Sequence, residues 1–229
     1  MDQKHDALVL EEARASLAAR TDLSQLSDVM KEFRLLMETY NAGIGTVTNK
    51  LQILGDEFRA KYDYNPIHHI ESRLKEPQSI FAKMKRLELP LTLENMKSGL
   101  SDIAGVRVIC NYLTDVELLA DLLLRQDDVE LIRRTDYIHH PKESGYRSLH
   151  LVVTVPVFLA ETTERVEVEI QIRTIAMDCW ASLEHHLGYK AAGVLPQDLR
   201  YRLKICAMTI AEVDEEMQAI KDEIERLRP

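Results

Sequence analysis

Cysteines and long apolar runs are scarce in this sequence of 229 residues. Only three cysteines occur, Cys110, Cys179 and Cys206, and their wide spacing fits neither a disulfide framework nor a Cys-x-x-Cys zinc site. No apolar run is long enough for a transmembrane helix, and the N-terminus does not resemble a signal peptide. These absences predict a protein of the reducing cytoplasm with no membrane partner.

Several common nucleotide and metal motifs are also missing. The sequence contains no Gly-x-x-x-x-Gly-Lys-Ser/Thr loop, which excludes a P-loop NTPase. The doublets His68-His69 and His185-His186 lack further histidine or cysteine partners at metal-ligand spacing. The pair His5-Asp6 has no partners that would make an HD-type metal hydrolase, so we interpret it as a chance occurrence.

The charge is acidic overall but unevenly distributed. A net charge of −9 argues against broad nucleic-acid binding. RNA stays an alternative partner, but the net charge does not support it. Residues 71–86 are an exception, since they hold five basic residues against Glu71 and Glu76: Arg73, Lys75, Lys83, Lys85 and Arg86. On charge alone, a solvated helix face explains this segment better than a site for an anionic ligand.

Helical periodicity dominates both ends of the chain. Apolar spacing predicts a long amphipathic helix over residues 26–58, either continuous or broken near Gly43 and Gly45. At the other end, a helix over residues 199–227 has apolar residues spaced alternately four and three apart: Leu199, Leu203, Cys206, Ile210, Val213, Met217, Ile220, Ile224 and Leu227. This apolar seam indicates packing along another helix, either in a second copy or at the N-terminus of the same chain.

The middle of the chain mixes shorter helices with strands. Helices are predicted over residues 77–87, 91–100, 115–124 and 175–187. Strands are predicted over residues 106–110, 129–138, 149–155 and 165–173, and a hairpin-like loop at 161–164 joins the last two. This order predicts an α/β fold with a mixed sheet and helices packed on it.

Polar residues recur beside three of these strands. In residues 165–173, Glu169 and Gln171 alternate with apolar residues and share one strand face, which either faces water or lines a polar cavity. Asp102 precedes the strand at 106–110, where a plain turn is the alternative. The loop before residue 149 presents Lys142 and Tyr146, a combination typical of binding loops.

Five segments in order resemble the synthetase domain of the RelA/SpoT homologue family, and specifically its small alarmone synthetases. They are Arg73-Leu-Lys75, Asp102-Ile-Ala-Gly-Val-Arg107, Lys142-Glu-Ser-Gly-Tyr-Arg-Ser-Leu-His150, Glu169-Ile-Gln-Ile-Arg-Thr174 and Met177-Asp-Cys-Trp-Ala-Ser-Leu-Glu-His185. The resemblance implies a nucleotidyltransferase-like sheet of about five strands flanked by helices. It divides the chain into an N-terminal helical region (1–64), a catalytic core (65–190) and a C-terminal oligomerisation helix (191–229).

The resemblance implies a (p)ppGpp synthetase, which transfers pyrophosphate from ATP to the 3′-hydroxyl of GDP or GTP and releases AMP. Asp102 and Glu169 would be catalytic and bind Mg²⁺, with Glu169 also accepting a proton. The ATP-binding residues would be Arg73, Lys75, Ser79, Lys83 and Arg107. The acceptor-binding residues would be Lys142, Tyr146, His150 and Gln171.

Two further expectations depend on the same resemblance. It implies a homotetramer assembled largely through the terminal helices. A non-catalytic regulator that binds guanine nucleotides or RNA on the same fold is the alternative function, and the presence of both Asp102 and Glu169 argues against it.

Overall fold

A computed structural model describes residues 23–190 and 195–227 of the chain. The pair His5-Asp6 and the start of the predicted N-terminal region lie outside the described residues, as does the predicted boundary at residue 191. Within the described ranges, no helix combines the length and the apolar character needed to cross a bilayer.

A five-stranded mixed sheet forms the centre of the molecule. Its strands are β1 (Ile67–Leu74), β2 (Ala104–Cys110), β3 (Glu130–Asp136), β4 (Leu149–Phe158) and β5 (Thr163–Thr174). Their order across the sheet is β1-β2-β5-β4-β3, with β2 and β5 parallel and the other neighbours antiparallel. The predicted mixed sheet is confirmed, as is the predicted hairpin, which joins β4 to β5.

Six helices surround this sheet in the described residues. They are α1 (Leu23–Tyr62), α2 (Pro77–Arg86), α3 (Leu93–Gly99), α4 (Leu113–Leu124), α5 (Ile175–Lys190) and α6 (Gln197–Leu227). Each corresponds to a helix predicted from apolar periodicity, and the long helices at both ends are confirmed.

The first helix runs without interruption through both of its central glycines. A Cβ atom added at Gly43 would lie 2.8 Å from Cγ1 of Val166 on β5, whereas one added at Gly45 would meet nothing within 4 Å. Gly43 therefore allows the helix to lie directly against the sheet, and it does not break the helix.

Strand β1 was missing from the four strands predicted by residue pattern. It is an edge strand, and its only buried side chain is Ile67, while His68, Glu71 and Ser72 are exposed. Without a buried face, the segment shows none of the apolar alternation by which a strand is recognised in a sequence.

The two faces of the sheet have opposite character. On one face, Val168 and Ile172 are fully buried in a cluster that includes Leu51 of α1 and Leu119 of α4. On the other face of the same strand, Glu169 and Gln171 are half-buried. The core thus lies on the side of α1 and α4, and the opposite side presents polar groups.

Helix α6 uses only part of its predicted seam within the chain. Leu203 and Ile210 pack around Trp180 of α5, whose Nε1 donates to the Leu203 carbonyl oxygen at 2.9 Å. The remaining apolar positions from residue 213 onward stay 42–76% exposed: Val213, Met217, Ile220, Ile224 and Leu227. The second half of the helix is held to α4 through Gln218 and Lys221, and it exposes an apolar stripe on its other side.

Candidate active site

The polar face of the sheet gathers side chains from four strands. Strand pairing aligns one row of four, His150 on β4, Gln171 on β5, Arg107 on β2 and Glu71 on β1. The next row contains Glu169, Gly105 and Arg73, and Gly105 contributes no side chain. A cavity of about 300 Å³ lies here, and both rows contribute to its lining.

Asp102 lies at one side of this cavity between two lysines. Its Oδ2 accepts from Lys75 Nζ at 2.6 Å and from Lys83 Nζ at 2.7 Å. Burial opposes ionisation, but the hydrogen bonds and charges of the two lysines hold the pKa of Asp102 below its usual value. Its other oxygen, Oδ1, is buried and finds no hydrogen-bond partner among the described residues. Asp102 is therefore ionised, with one oxygen available to a further cation.

Glu169 lines the same cavity from β5. Gln171 Nε2 donates to its Oε2 at 3.1 Å, and His150 Nδ1 lies 3.5 Å from its Oε1. Burial would raise the pKa of Glu169, yet His150 and Gln171 hold it below its usual value, against a smaller opposing effect of the Asp102 charge. The cavity thus contains two ionised carboxylates.

The predicted ATP-binding residues occupy the β1–β2 side. Arg107 donates to Glu71 at 3.0 Å and lies 3.8 Å from Asp178, while its Nε is buried without a partner among the described residues. Arg73 is exposed and lines the cavity. Ser79 is half-buried on α2, one turn before Lys83, and it does not line the cavity. The structure thus brings together the predicted cations, with Ser79 set apart.

The predicted acceptor-binding residues form an aromatic cluster on the other side. Lys142 Nζ lies 4.6 Å from the ring centroid of Tyr137 and 4.8 Å from that of Tyr146. The Tyr146 and His150 rings are edge to face, with centroids 5.8 Å apart. Tyr137, which sequence reasoning missed, belongs to this cluster, and no motif in the sequence distinguished it.

The loop that carries Tyr146 packs closely against α6. Gly145 adopts φ 94°, and its amide donates to the Lys142 carbonyl oxygen at 2.8 Å to close a tight turn. A Cβ atom at Gly145 would lie only 2.5 Å from Cβ of Ala207 on α6. A glycine is required here both by the backbone conformation and by the close approach of the helix.

Comparison with known proteins identifies the family of this chain. A family profile described as a region found in RelA and SpoT proteins matches residues 72–194. The GTP pyrophosphokinase YwaC of Bacillus subtilis is 38% identical over 205 residues, which cover 90% of this chain and 98% of that relative. The chain belongs to the RelA/SpoT family.

Solved structures of this family share the fold. The small alarmone synthetase 1 from Bacillus subtilis bound to its product pppGpp superposes with a TM-score of 0.79 at 34% identity, covering 85% of this chain and 99% of that one. The same synthetase bound to AMPCPP gives a TM-score of 0.73 at 32% identity, covering 86% and 99%. The sheet and its flanking helices are thus those of a RelA/SpoT synthetase.

Arg173, which is bonded to Gln171 of the cavity lining, is another residue that sequence reasoning left without a role. It is only 4% exposed, and its guanidinium donates to Asp178 at 3.1 Å, to the Tyr146 hydroxyl at 2.6 Å and to Gln171 Oε1 at 2.8 Å. Its position two residues after Gln171 on the polar face was visible in the strand alternation. Its burial was not, because a charged residue at a strand end is usually solvated.

Proposed function

We propose that this protein is a GTP pyrophosphokinase that transfers the pyrophosphoryl group of ATP to the 3′-hydroxyl of GDP or GTP and releases AMP. The observation that carries the proposal is the pair of ionised carboxylates, Asp102 and Glu169, at one cavity between a cationic side and an aromatic side. Relatives named GTP pyrophosphokinase, and a similar synthetase bound to pppGpp, support it.

The β1–β2 side is suited to ATP. The ammonium groups of Lys75 and Lys83 are bonded to Asp102, which keeps both charges at the cavity. Phosphate oxygens would take over these hydrogen bonds, and Ser79 would join them after a local movement of α2. The guanidinium planes of Arg73 and Arg107 would enclose adenine, because planar guanidinium groups stack on flat rings.

The loop and β4 side is suited to a guanine nucleotide. The Tyr146 ring offers a stacking surface for the base, and Lys142 beside it carries a mobile charge for the phosphates. His150 lies between this ring and Glu169, and Gln171 is bonded to Glu169, so the acceptor ribose would lie beside these two side chains.

Mg²⁺ fits the two carboxylates. Asp102 offers a buried oxygen without a protein partner in the described residues, and Glu169 is ionised nearby in the same cavity. No three potential metal-ligand side chains converge within the described ranges, and Mg²⁺ is commonly held by one or two carboxylates together with nucleotide phosphates. When bound, the ion would neutralise charge that builds up on the phosphates during transfer.

The reaction itself requires little covalent work from the protein. The acceptor 3′-oxygen bonds to the β-phosphorus of ATP, the bridge between the α- and β-phosphates breaks, and AMP leaves with the bonding electrons. Glu169 accepts the proton of the 3′-hydroxyl. Because its lowered pKa makes it a modest base, most of the rate enhancement is expected from positioning of the substrates.

The proposed activity is tested by measuring AMP. The purified protein is incubated with ATP and Mg²⁺, with GDP, GTP or no acceptor, and the nucleotides are separated by chromatography. We expect AMP to form only when a guanine nucleotide is present. Binding of GDP without formation of AMP would instead indicate the alternative function, a non-catalytic regulator.

We further propose that the protein is a homotetramer and that α6 contributes the interface. The exposed stripe from Val213 to Leu227 has coiled-coil spacing, and the other side of this segment is already bonded to α4 through Gln218 and Lys221. A solvent-exposed stripe of this length is unfavourable in water, and a second copy of the same helix would cover it.

The assembly is tested by light scattering. The intact protein should have four times the chain mass of 26.3 kDa, and Met217→Glu with Ile220→Glu should reduce it. Ile132→Glu is the matched control, because Ile132 is a similarly exposed isoleucine outside the terminal helices. A mass of 26.3 kDa for the intact protein would rule out the tetramer.

A further inference from the structure

Five side chains form a closed ring of polar contacts beside the cavity, and two of them, Glu169 and Gln171, contribute to its lining. Arg173 Nη2 contacts the Tyr146 hydroxyl at 2.6 Å, and that hydroxyl contacts His150 Nε2 at 2.8 Å. His150 Nδ1 lies 3.5 Å from Glu169, Gln171 donates to Glu169 at 3.1 Å, and Arg173 donates to Gln171 at 2.8 Å, which closes the ring. Two branches therefore run from Arg173 to Glu169, one through Tyr146 and His150 and the other through Gln171.

The two ends of each branch set its direction, because arginine can only donate hydrogen bonds and the ionised Glu169 carboxylate can only accept them. The Tyr146 oxygen therefore accepts from Arg173, which leaves its own proton free to be donated to His150. His150 Nε2 is then the acceptor, and in a neutral imidazole the proton is left on Nδ1, facing Glu169. In the other branch, Gln171 Oε1 faces Arg173, so its amide NH₂ group faces Glu169.

We propose that Arg173 is a positioning residue for the transfer reaction, which directs one hydrogen-bond donor to each oxygen of Glu169 and holds the Tyr146 ring for the acceptor base. The roles of Glu169 and Tyr146 in this proposal rest on the proposed function. Arg173 itself acts through these residues and contacts neither reacting atom.

The surroundings of Arg173 keep its guanidinium in one place. Nη1 donates to Asp178 in the first turn of α5, and Nε lies 3.4 Å from Ser148 Oγ. The guanidinium carbon lies 5.0 Å from the Tyr146 ring centroid, so Arg173 contacts both the ring and the hydroxyl of this tyrosine. A planar fork of five donors can satisfy all these partners at once, whereas a lysine ammonium has three donors on a single atom.

Two substitutions and one control separate this role from a general structural one. Arg173→Lys keeps the charge but loses the fork, and Tyr146→Phe removes only the hydroxyl that links Arg173 to His150. Arg165→Lys is the matched control, because Arg165 lies on the same strand and is exposed at its other end, where it pairs with Glu130.

The first readout is the tautomer of His150 without any nucleotide. In protein labelled with ¹⁵N-histidine at alkaline pH, where histidines are neutral, NMR distinguishes protonated from unprotonated ring nitrogens. The His150 signal is assigned by its loss in His150→Gln. We expect the Nδ1–H tautomer in the wild type and in Arg165→Lys, and a mixture or the other tautomer in Tyr146→Phe and Arg173→Lys.

The second readout is binding of GDP measured by calorimetry with Mg²⁺ and no ATP. Arg173→Lys loses the hydrogen bond that holds the Tyr146 ring in place. GDP binding should weaken by roughly 10-fold, the size expected for loss of one hydrogen bond to a charged group. Binding of AMPCPP should be unchanged. Since neither readout requires turnover, a wild type that binds nucleotides but forms no AMP would contradict the proposed function and leave this test intact.

Three results would overturn the proposal. They are an Nε2–H tautomer in the wild type, a tautomer unchanged in Tyr146→Phe, and an Arg173→Lys variant that matches Arg165→Lys in both readouts. If Arg173→Lys fails to fold, as judged by circular dichroism, Tyr146→Phe decides the question alone through the His150 tautomer.

Discussion

The two faces of strand β5 differ in what each residue contributes. On the apolar face, Val168, Ile170 and Ile172 are fully buried, and α1 approaches so closely that a Cβ atom at position 43 would lie 2.8 Å from Val166. On the polar face, Glu169 and Gln171 are half-buried and bonded to specific partners around a cavity. Substitutions on the polar face of β5 should therefore change nucleotide binding and turnover. Substitutions that disturb its apolar face should change the free energy of unfolding.

The largest effect is expected from the centre of the polar face. Glu169→Gln keeps the size of the side chain but removes its charge, so the rate of AMP formation should fall by about 10²–10⁴-fold. Thermal unfolding should change little, because the residue lies outside the apolar core. Glu167→Gln is the matched control on the same face, two residues away and outside the cavity lining. Near-wild-type turnover in Glu169→Gln would remove Glu169 from the mechanism.

An intermediate effect is expected at the aromatic edge of the polar face. Tyr146→Ala removes the stacking surface for the acceptor base, which should cost ~1–3 kcal/mol of GDP binding. Binding of AMPCPP should be nearly unaffected, because the proposed ATP residues lie on the β1–β2 side. Calorimetry measures the affinity for each nucleotide separately. Equal losses of affinity for GDP and AMPCPP would mean that Tyr146 has a structural role.

The smallest effect is expected on the apolar face, from a pair of matched glycine substitutions in α1. Gly43→Ala would place a methyl group against Val166, and overpacking costs about 1–3 kcal/mol, offset by about 1 kcal/mol of helix propensity. Gly45→Ala meets no neighbour and should stabilise the protein by up to about 1 kcal/mol. Denaturant unfolding measures both, and turnover per folded molecule should be unchanged. A stabilised Gly43→Ala variant would contradict the close packing of α1.

Sequence patterns predicted what depends on local periodicity. The alternation at residues 165–173 located β5 and assigned Glu169 and Gln171 to one face, and apolar spacing located every described helix. Patterns did not reveal β1, because an edge strand with a single buried side chain has no alternation to detect. They also left open the continuity of α1, which depends on contact between Gly43 and a strand far along the chain.

The candidate site was predicted only in part, because sequence patterns are local whereas the contacts between site residues are not. Motif residues such as Asp102 and Tyr146 could be named from their segments, but their partners depend on tertiary contacts. Arg173 is bonded to a loop residue, a strand residue and a helix residue, and no spacing within one segment indicates this. Pairing of Arg107 with Glu71 likewise depends on the register of an edge strand that no pattern predicted.

The most direct test follows the pyrophosphoryl group itself. The purified protein is incubated with Mg²⁺ and ATP labelled in the γ-phosphate, with either GDP or 3′-deoxy-GDP as acceptor, and the products are resolved by chromatography and mass spectrometry. With GDP, the label should appear in a guanine nucleotide that has gained two phosphates, together with an equal amount of AMP; 3′-deoxy-GDP should yield neither product. Label recovered only as orthophosphate, or transferred equally to 3′-deoxy-GDP, would contradict pyrophosphoryl transfer to the 3′-oxygen at this site.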